Sequence, residues 1–257
     1  MTIVYDTWAM ATRYVKAILR QPWWIAITLV QPVVWLLLYG ALFRNVVQIP
    51  GFQGDDYDQF LAPGIVVMTA LFSAGWGGMG TINDLESGIV DRFLVTPVRR
   101  MPLLAGPLVQ SAIVIVIQSL IIVGLALAVG ASFPGGVAGV VVLIAVSALL
   151  GVGFGALSHG MALLARREET LIAAMNFLLL PLTFLSTAFM QASLVPGWIR
   201  DVAKFNPVNW AVEAGREAAM GSTDWGLVAG RSALLAAFAL VSAMFAVRAF
   251  RTYQRSV

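Results

Sequence analysis

The sequence has no cysteine and a single histidine, His159. Without cysteine the chain cannot form a disulfide, a thiolate nucleophile or a thiolate metal site, and one histidine cannot build a histidine-rich metal centre. It also lacks a Gly-x-x-x-x-Gly-Lys-Ser/Thr motif, and its only lysines, Lys16 and Lys204, lie outside glycine-rich segments. The sequence therefore predicts no catalytic, cofactor-binding or metal-binding residues in this chain.

Charge is also scarce, and apolar residues are abundant. Charged residues make up 11% of the 257 residues and apolar residues 60%, with a mean hydropathy of +0.87. A soluble domain of this length could not bury so much apolar surface, whereas a bilayer accepts it. The net charge is +3, but the cations flank apolar runs, which is typical of topology signals and not of nucleic-acid binding. We expect an all-α integral membrane protein with a single domain, residues 1–257.

Six apolar stretches are each long enough to cross a hydrocarbon core, which takes roughly 20 helical residues. With the N-terminus in the cytoplasm, eleven Lys and Arg residues lie inside and five outside, and this asymmetry predicts that both termini are cytoplasmic. Pro32 and Pro181 are expected to bend the first and fifth spans. The predicted spans are Trp23–Phe43, Leu61–Ile82, Leu103–Val129, Val137–Leu164, Leu171–Met190 and Leu227–Phe250.

Two segments outside these spans have helical features. Residues 1–22 place apolar side chains on one face and basic side chains elsewhere, which favours an amphipathic helix in the membrane interface; a frayed basic tail is the alternative. Residues 191–226 are too apolar for a free loop and too short to span. They predict two short re-entrant or surface helices on the extracytoplasmic side, broken at Pro196 and Pro207.

The densest group of ionisable residues begins at Asp84. As a helix, residues 84–96 have an apolar arc opposite a polar one, so they could lie on the membrane surface and present the polar face to a partner. Glu86 falls on the apolar arc, where a carboxylate is costly unless a cation or a protein socket holds it. The alternative is a solvated connecting loop.

Two motifs give the chain a family resemblance. The first is DLESGIVDRF at residues 84–93, followed by Thr96, Pro97 and Gly106. It resembles the signature cytoplasmic loop of type-2 ABC exporter permeases, especially the daunorubicin-resistance branch. The second is FNPVNW at residues 205–210, followed by Arg216 and Gly221, and it is similar to that family's block before the last span. In this extracytoplasmic motif we single out Asn206, Pro207 and Arg216.

The resemblance implies a mechanism that the chain cannot perform alone. It implies a cytoplasmic coupling helix at residues 84–97 that docks on a separate P-loop ABC ATPase, two copies per complex, with ATP and Mg bound there. It also implies a second permease, the same or homologous, whose seam involves the first and fifth spans. The implied docking residues are Asp84, Glu86, Gly88, Asp91, Arg92, Phe93 and Pro97.

Polar side chains within the predicted spans are few, and none carries a fixed charge, which disfavours a proton- or sodium-coupled carrier. Candidates for a substrate path are Gln31, Asn176, Thr183 and Ser186, with ordinary interhelical hydrogen bonds as the alternative. His159 is expected to be structural. Gly151, Gly153 and Gly155 permit close helix packing, which we expect within the chain more than at a dimer seam.

Taken with the resemblance, these features predict the permease subunit of an ATP-driven exporter in a prokaryotic plasma membrane, in contact with its lipids. The expected substrate is a hydrophobic or amphiphilic drug or antibiotic, or a lipid or glycolipid. A lipid-linked polysaccharide is the alternative under the same mechanism. A non-transporting scaffold or an ATP-independent lipid scramblase is the alternative from a different class, since it shares the hydropathy but does not need the loop motif.

Overall fold

The computed structural model describes residues 22–50, 52, 56–87, 101–221 and 224–254. In these ranges the regular structure is helical and no strand occurs. A short 3₁₀ helix, Arg44–Gln48, follows the first α-helix. The α-helices are α1 (Pro22–Leu42), α2 (Tyr57–Gly75), α3 (Gly78–Glu86), α4 (Met101–Val129), α5 (Gly136–Ala165), α6 (Glu168–Phe184), α7 (Gly197–Ala203), α8 (Pro207–Met220) and α9 (Trp225–Gln254).

Among the described residues, four helical segments are long and apolar enough to cross a membrane: Tyr57–Glu86, Gly106–Val129, Gly136–Ala165 and Trp225–Gln254. They coincide with the second, third, fourth and sixth predicted spans. The first predicted span contributes a shorter apolar helix, Ile27–Leu42. The predicted interfacial helix at 1–22 lies outside the described residues except for its last residue.

The fifth predicted span, Leu171–Met190, is wrong in its extent. α6 has 17 residues and ends at Phe184, short of the roughly 20 that a perpendicular crossing takes. Pro181 lies inside the helix and has no N–H for the hydrogen-bond ladder. The chain leaves the helix at Leu185, whose N–H donates to the carbonyl oxygen of Pro181 at 2.8 Å. Residues 185–196 then continue without regular helix.

The second predicted span, Leu61–Ile82, is divided into two helices. α2 ends at Gly75 and α3 begins at Gly78. Gly78 lies so close to α5 that a Cβ at this position would be 2.5 Å from the backbone oxygen of Ser158. Because α3 runs on to Glu86, Asp84 is in the last turn of a helix that begins at Gly78, not at the start of a new one.

The centre of the fold is α5, which packs against α2, α4, α8 and α9. Its glycines allow this approach: a Cβ on Gly151 would lie 2.2 Å from Ile115 of α4, and one on Gly153 would lie 2.6 Å from Phe238 of α9. The prediction that these glycines pack within the chain is confirmed. Half of an apolar 18-residue stretch within α5 is buried inside the protein.

The segment before the last span contains two helices, α7 and α8. α8 has clear end signals: the Asn206 side chain accepts from the N–H of Val208 at 2.9 Å, and Pro207 occupies the first turn. Gly221 ends it with φ of +79°, a left-handed conformation that glycine adopts without a steric cost. Its backbone touches Pro134 in the turn between α4 and α5.

Candidate functional site

Residues 186–188, in the non-helical stretch that follows α6, are buried, although their backbone has no helix to satisfy it. Ser186, Thr187 and Ala188 are 6%, 4% and 0% exposed. Within a membrane protein such backbone is tolerated only where protein groups take up its hydrogen bonds. In this chain those groups come mainly from α8 and from the residue that caps it.

Asn206 joins the end of α6 to the start of α8. Its side-chain Nδ2 donates to the carbonyl oxygens of Leu182 at 2.7 Å and Leu185 at 2.8 Å. Its Oδ1 accepts from the N–H of Val208. One buried amide therefore caps the C-terminus of one helix and the N-terminus of the next, and Asn206 itself is only 2% exposed.

Asn209, one turn further on, holds Thr187. Its Oδ1 accepts from the backbone N–H of Thr187 at 2.9 Å and from the Thr187 hydroxyl at 2.7 Å. Its Nδ2 donates to Oε1 of Glu213 at 2.8 Å. Glu213 in turn forms an ion pair with Arg231 of α9, with Oε2 and Nε 2.7 Å apart. Hydrogen bonds and one ion pair thus link the non-helical stretch to the last span.

Arg216 completes the network on the side of α2. Its guanidinium donates to the carbonyl oxygens of Thr187 at 3.0 Å, Ala188 at 3.2 Å and Phe60 at 3.3 Å. It also lies 3.7 Å from the ring centre of Phe60, a cation–π geometry. Burial lowers the pKa of Arg216 to about 9, while the nearby Glu213 and Tyr57 raise it, so the group is charged at neutral pH.

These contacts form what we call the α8 clamp, made by Asn206, Asn209, Glu213, Arg216 and Arg231. The sequence analysis singled out Asn206, Pro207 and Arg216. Asn209 stands in the quoted motif but was given no role, and Glu213 and Arg231 were missed. The spacing of 206, 209, 213 and 216 places polar residues on one helical face, and this pattern could have revealed them. The clamp positions backbone and offers no arrangement for acid–base or nucleophilic chemistry.

A second feature is a cavity of about 120 Å³ between α1, α2 and α4. Gln31 of α1, a predicted substrate-path residue, lines it together with Gln118 of α4. The other lining residues are Ile27, Thr28, Pro32, Trp35, Ile65, Met68, Thr69, Phe72, Ser73 and Trp76. The cavity is therefore mostly apolar, with a few polar groups and no charged side chain in its wall.

The other predicted path residues do not line this cavity. Thr183, in the last turn of α6, and Ser186, just after that helix, are both buried, and the Ser186 hydroxyl donates to the carbonyl oxygen of Thr183 at 2.6 Å. Asn176 is half-buried on α6. The four candidates thus fall in separate places within one chain, and their role in transport stays a prediction.

A third feature is the joint between α2 and α3, residues 75–78. The Ser158 hydroxyl of α5 donates to the carbonyl oxygen of Gly75 at 2.5 Å and accepts from the N–H of Gly78 at 3.0 Å. One turn along, Thr81 Oγ1 and His159 Nδ1 are 2.6 Å apart. These two α5 side chains fix α3 to the core, which agrees with a structural role for His159.

α3 leads directly to the predicted coupling segment. Asp84 and Glu86 are in its last turn, and the Ser87 hydroxyl donates to the carbonyl oxygen of Asn83 at 2.7 Å. Glu86 is exposed and forms no ion pair with a described residue. The remaining predicted docking residues, Gly88, Asp91, Arg92, Phe93 and Pro97, lie outside the described residues, so the coupling helix stays a prediction.

Comparisons with known proteins agree over most of the chain. The sequence profile of the family described as "ABC-2 type transporter" matches residues 5–220. The daunorubicin resistance ABC transporter permease protein DrrB1 of Streptomyces coeruleorubidus is 29% identical over 212 residues, which cover 81% of this chain and 74% of that protein.

Two further relatives come from different lineages. The putative transport permease ycf38 of Porphyra purpurea is 28% identical over 224 residues, covering 87% of this chain and 76% of the relative. The inner membrane transport permease YadH of Escherichia coli K12 is 25% identical over 205 residues, or 78% of each chain. The family match over residues 5–220 includes both motif segments, 84–93 and 205–210, and helices α1 to α8.

Proposed function

The chain belongs to the ABC-2 type transporter family, and from that premise we propose that it is the permease subunit of an ATP-driven exporter of a hydrophobic or amphiphilic substrate. The observation that carries this proposal is the family match over residues 5–220 in a chain with four helical segments able to cross a membrane. Relatives named for daunorubicin and doxorubicin resistance favour export of an aromatic drug or antibiotic. A lipid or glycolipid fits the same apolar interior.

In this proposal a cytoplasmic P-loop ATPase, present in two copies, drives the permease. It would dock on residues 84–97, with Arg92 able to give two hydrogen bonds to a carboxylate or to main-chain carbonyls. ATP and Mg would bind on that partner. Both termini and the coupling segment would be cytoplasmic, in the plasma membrane of a prokaryote.

The force from the ATPase would enter through α3. Its last turn carries Asp84 and Glu86, and its first turn is tied to α5 by Ser158. Since α5 packs on α2, α4, α8 and α9, a displacement of α3 would reach most of the protomer. The exposed Glu86 would gain its partner from the docked ATPase.

A second permease, identical or homologous, would complete the transport pathway. α1 and α6 expose large apolar side chains in the single chain: Val30 and Val34 on α1 are 59% and 47% exposed, and Phe177 and Phe184 on α6 are 85% and 56% exposed. Lipid alone could cover them. The family resemblance implies a seam between protomers at these two spans, and the exposed side chains support that proposal. The route for substrate would then lie between the two copies.

The test is reconstitution of the chain with the ATPase encoded beside its gene, in vesicles of defined lipid. We expect the two proteins to co-purify and ATP to drive export of daunorubicin or of a glycolipid, with stimulation of ATP hydrolysis by the transported compound. Stimulation only by a lipid-linked polysaccharide would favour the alternative substrate. Absence of a partner ATPase, together with lipid movement that needs no ATP, would favour the scramblase or scaffold and overturn the proposal.

A further inference from the structure

The cavity between α1, α2 and α4 is lined by aromatic side chains of the kind that bind a ring. Trp35, Phe72 and Trp76 all line it. Trp35 and Phe72 meet edge to face, with ring centroids 6.4 Å apart and planes at 77°. Ligand sites are mostly apolar and aromatic, with a small number of polar groups that fix orientation, and this cavity has that composition.

One buried polar atom in the cavity wall has no partner. Gln118 is 1% exposed, and its Nε2 donates to the Thr28 hydroxyl oxygen at 3.0 Å, which fixes the amide. Its carbonyl oxygen Oε1 forms no hydrogen bond within the described part of the chain. An unpaired buried acceptor is destabilising, and a donor on a ligand would remove that cost.

The cavity opens at the side of α1 that faces away from the rest of the protomer. Ile27, which lines it, is 63% exposed, and Gln31 beside it is also exposed. In the proposed topology α1 begins at the cytoplasmic side, so these two residues would lie in the inner half of the membrane. Val30 and Val34 share this face of α1, so in the proposed dimer the opening would face the route between the two protomers. A molecule in that route could insert one end between α1 and α2.

We propose that this cavity, within a single protomer, is a subsite for one uncharged, ring-sized moiety of the transported amphiphile, with a hydroxyl that donates to Oε1 of Gln118. The inference rests on the exporter function proposed above and specifies the chemistry of its substrate. An apolar cavity of about 150 Å³ binds benzene. This space, about 120 Å³, is of the same order and partly open, so it can take at most one ring and not a whole drug or lipid. Because none of the described residues that line the cavity is charged, the moiety it receives is neutral.

The absence of cysteine from the chain makes a direct test possible. Ser73 lines the cavity, so S73C in lipid nanodiscs, without the ATPase, provides a single thiol there. Its reaction with methyl methanethiosulfonate is followed by intact-protein mass spectrometry. The matched control is S232C, a half-buried serine on α9 away from the cavity.

Two probes share the proposed chemistry and differ in its source: daunorubicin, with hydroxylated aromatic rings, and a monoglucosyl diacylglycerol, with a hydroxylated sugar ring. We expect at least one of them to slow labelling of S73C fivefold or more and to leave S232C unchanged. Protection by only one probe identifies the ring as aromatic or as a sugar. Adding Q118M to S73C should raise the probe concentration needed for protection roughly tenfold, with protection measured against the labelling rate of the same double variant without probe; tenfold corresponds to about 1.4 kcal/mol.

Three results would overturn the inference: a thiol in S73C that does not react, labelling that neither probe slows, or full protection in the Q118M background. None of these readings depends on ATP. If the reconstituted complex exports substrate while S73C is unprotected, the subsite is wrong and the exporter function stands. If S73C is protected but no ATPase-driven export exists, the exporter function fails and the binding site stands.

Discussion

The side-chain oxygen of Asn209 accepts two hydrogen bonds from Thr187, one from its backbone N–H at 2.9 Å and one from its hydroxyl at 2.7 Å. Both residues are buried, at 1% and 4% exposed. The pair holds the non-helical stretch after α6 against α8. It explains how α6 can end at Phe184 without leaving buried backbone unsatisfied at that point.

Replacing Asn209 by leucine should destabilise the protein by about 1–3 kcal/mol, because two buried donors of Thr187 would lose their acceptor. The free energy of unfolding measured by SDS titration in mixed micelles checks this. N45L, at an exposed asparagine after α1, is the matched control and should change stability little. Equal stability of the two variants would show that Asn209 does not hold this stretch.

Arg216 should not be replaceable by lysine. Its guanidinium reaches three carbonyl oxygens and the Phe60 ring at once, and an ammonium cannot reproduce that planar fork. We expect R216K to lose about 1–3 kcal/mol in the same unfolding assay and R216M to lose more. R200K, at an exposed arginine of α7, should behave as the wild type. An R216K variant as stable as R200K would contradict the proposed role.

The stability of the joint between α2 and α3 should depend on the hydroxyl of Ser158. S158A removes the group that bonds both Gly75 and Gly78, so we expect lower stability and, in the complex, weaker coupling of ATP hydrolysis to export. S147A is a matched control on the same helix, since Ser147 is buried but bonds only the carbonyl oxygen of Leu143 within α5. The measurement is export per ATP hydrolysed; the same ratio in S158A and S147A would rule out a transmitting role for the joint.

The proposed docking segment can be tested independently of the described residues. Replacing Asp91 and Arg92 together by alanine should abolish co-purification with the ATPase and ATP-driven export, because both side chains would lie on its polar face. Replacing Arg99 and Arg100 by lysine keeps the positive charge after the segment and should leave the complex intact. Intact co-purification and transport in the Asp91/Arg92 double variant would exclude docking at this site.

Some features of the fold could be predicted from the sequence because they depend on the chain's total or local composition. The excess of apolar residues requires a membrane, and long apolar runs mark the four helical segments able to cross it. The glycines of α5 predict close packing, since only a missing side chain permits it. The motifs at residues 84–93 and 205–210 are local strings, so they identified the family without knowledge of any contact.

What the sequence alone could not determine depends on residues far apart in the chain. Apolar periodicity does not show that α6 ends at Phe184, because that end is stabilised by Asn206 and Asn209 more than twenty residues later. The α2–α3 joint is held by Ser158 of α5, which lies about eighty residues later in the chain. The unpaired oxygen of Gln118 suggests a ligand site only because the fold brings Gln118 to the same cavity as Trp35 and Phe72. The sequence by itself thus determined that the protein lies in a membrane, that it is helical and which family it resembles. Only the tertiary structure decided which polar groups form hydrogen bonds with each other, because hydrogen bonds depend on distances in space and not on spacing along the chain.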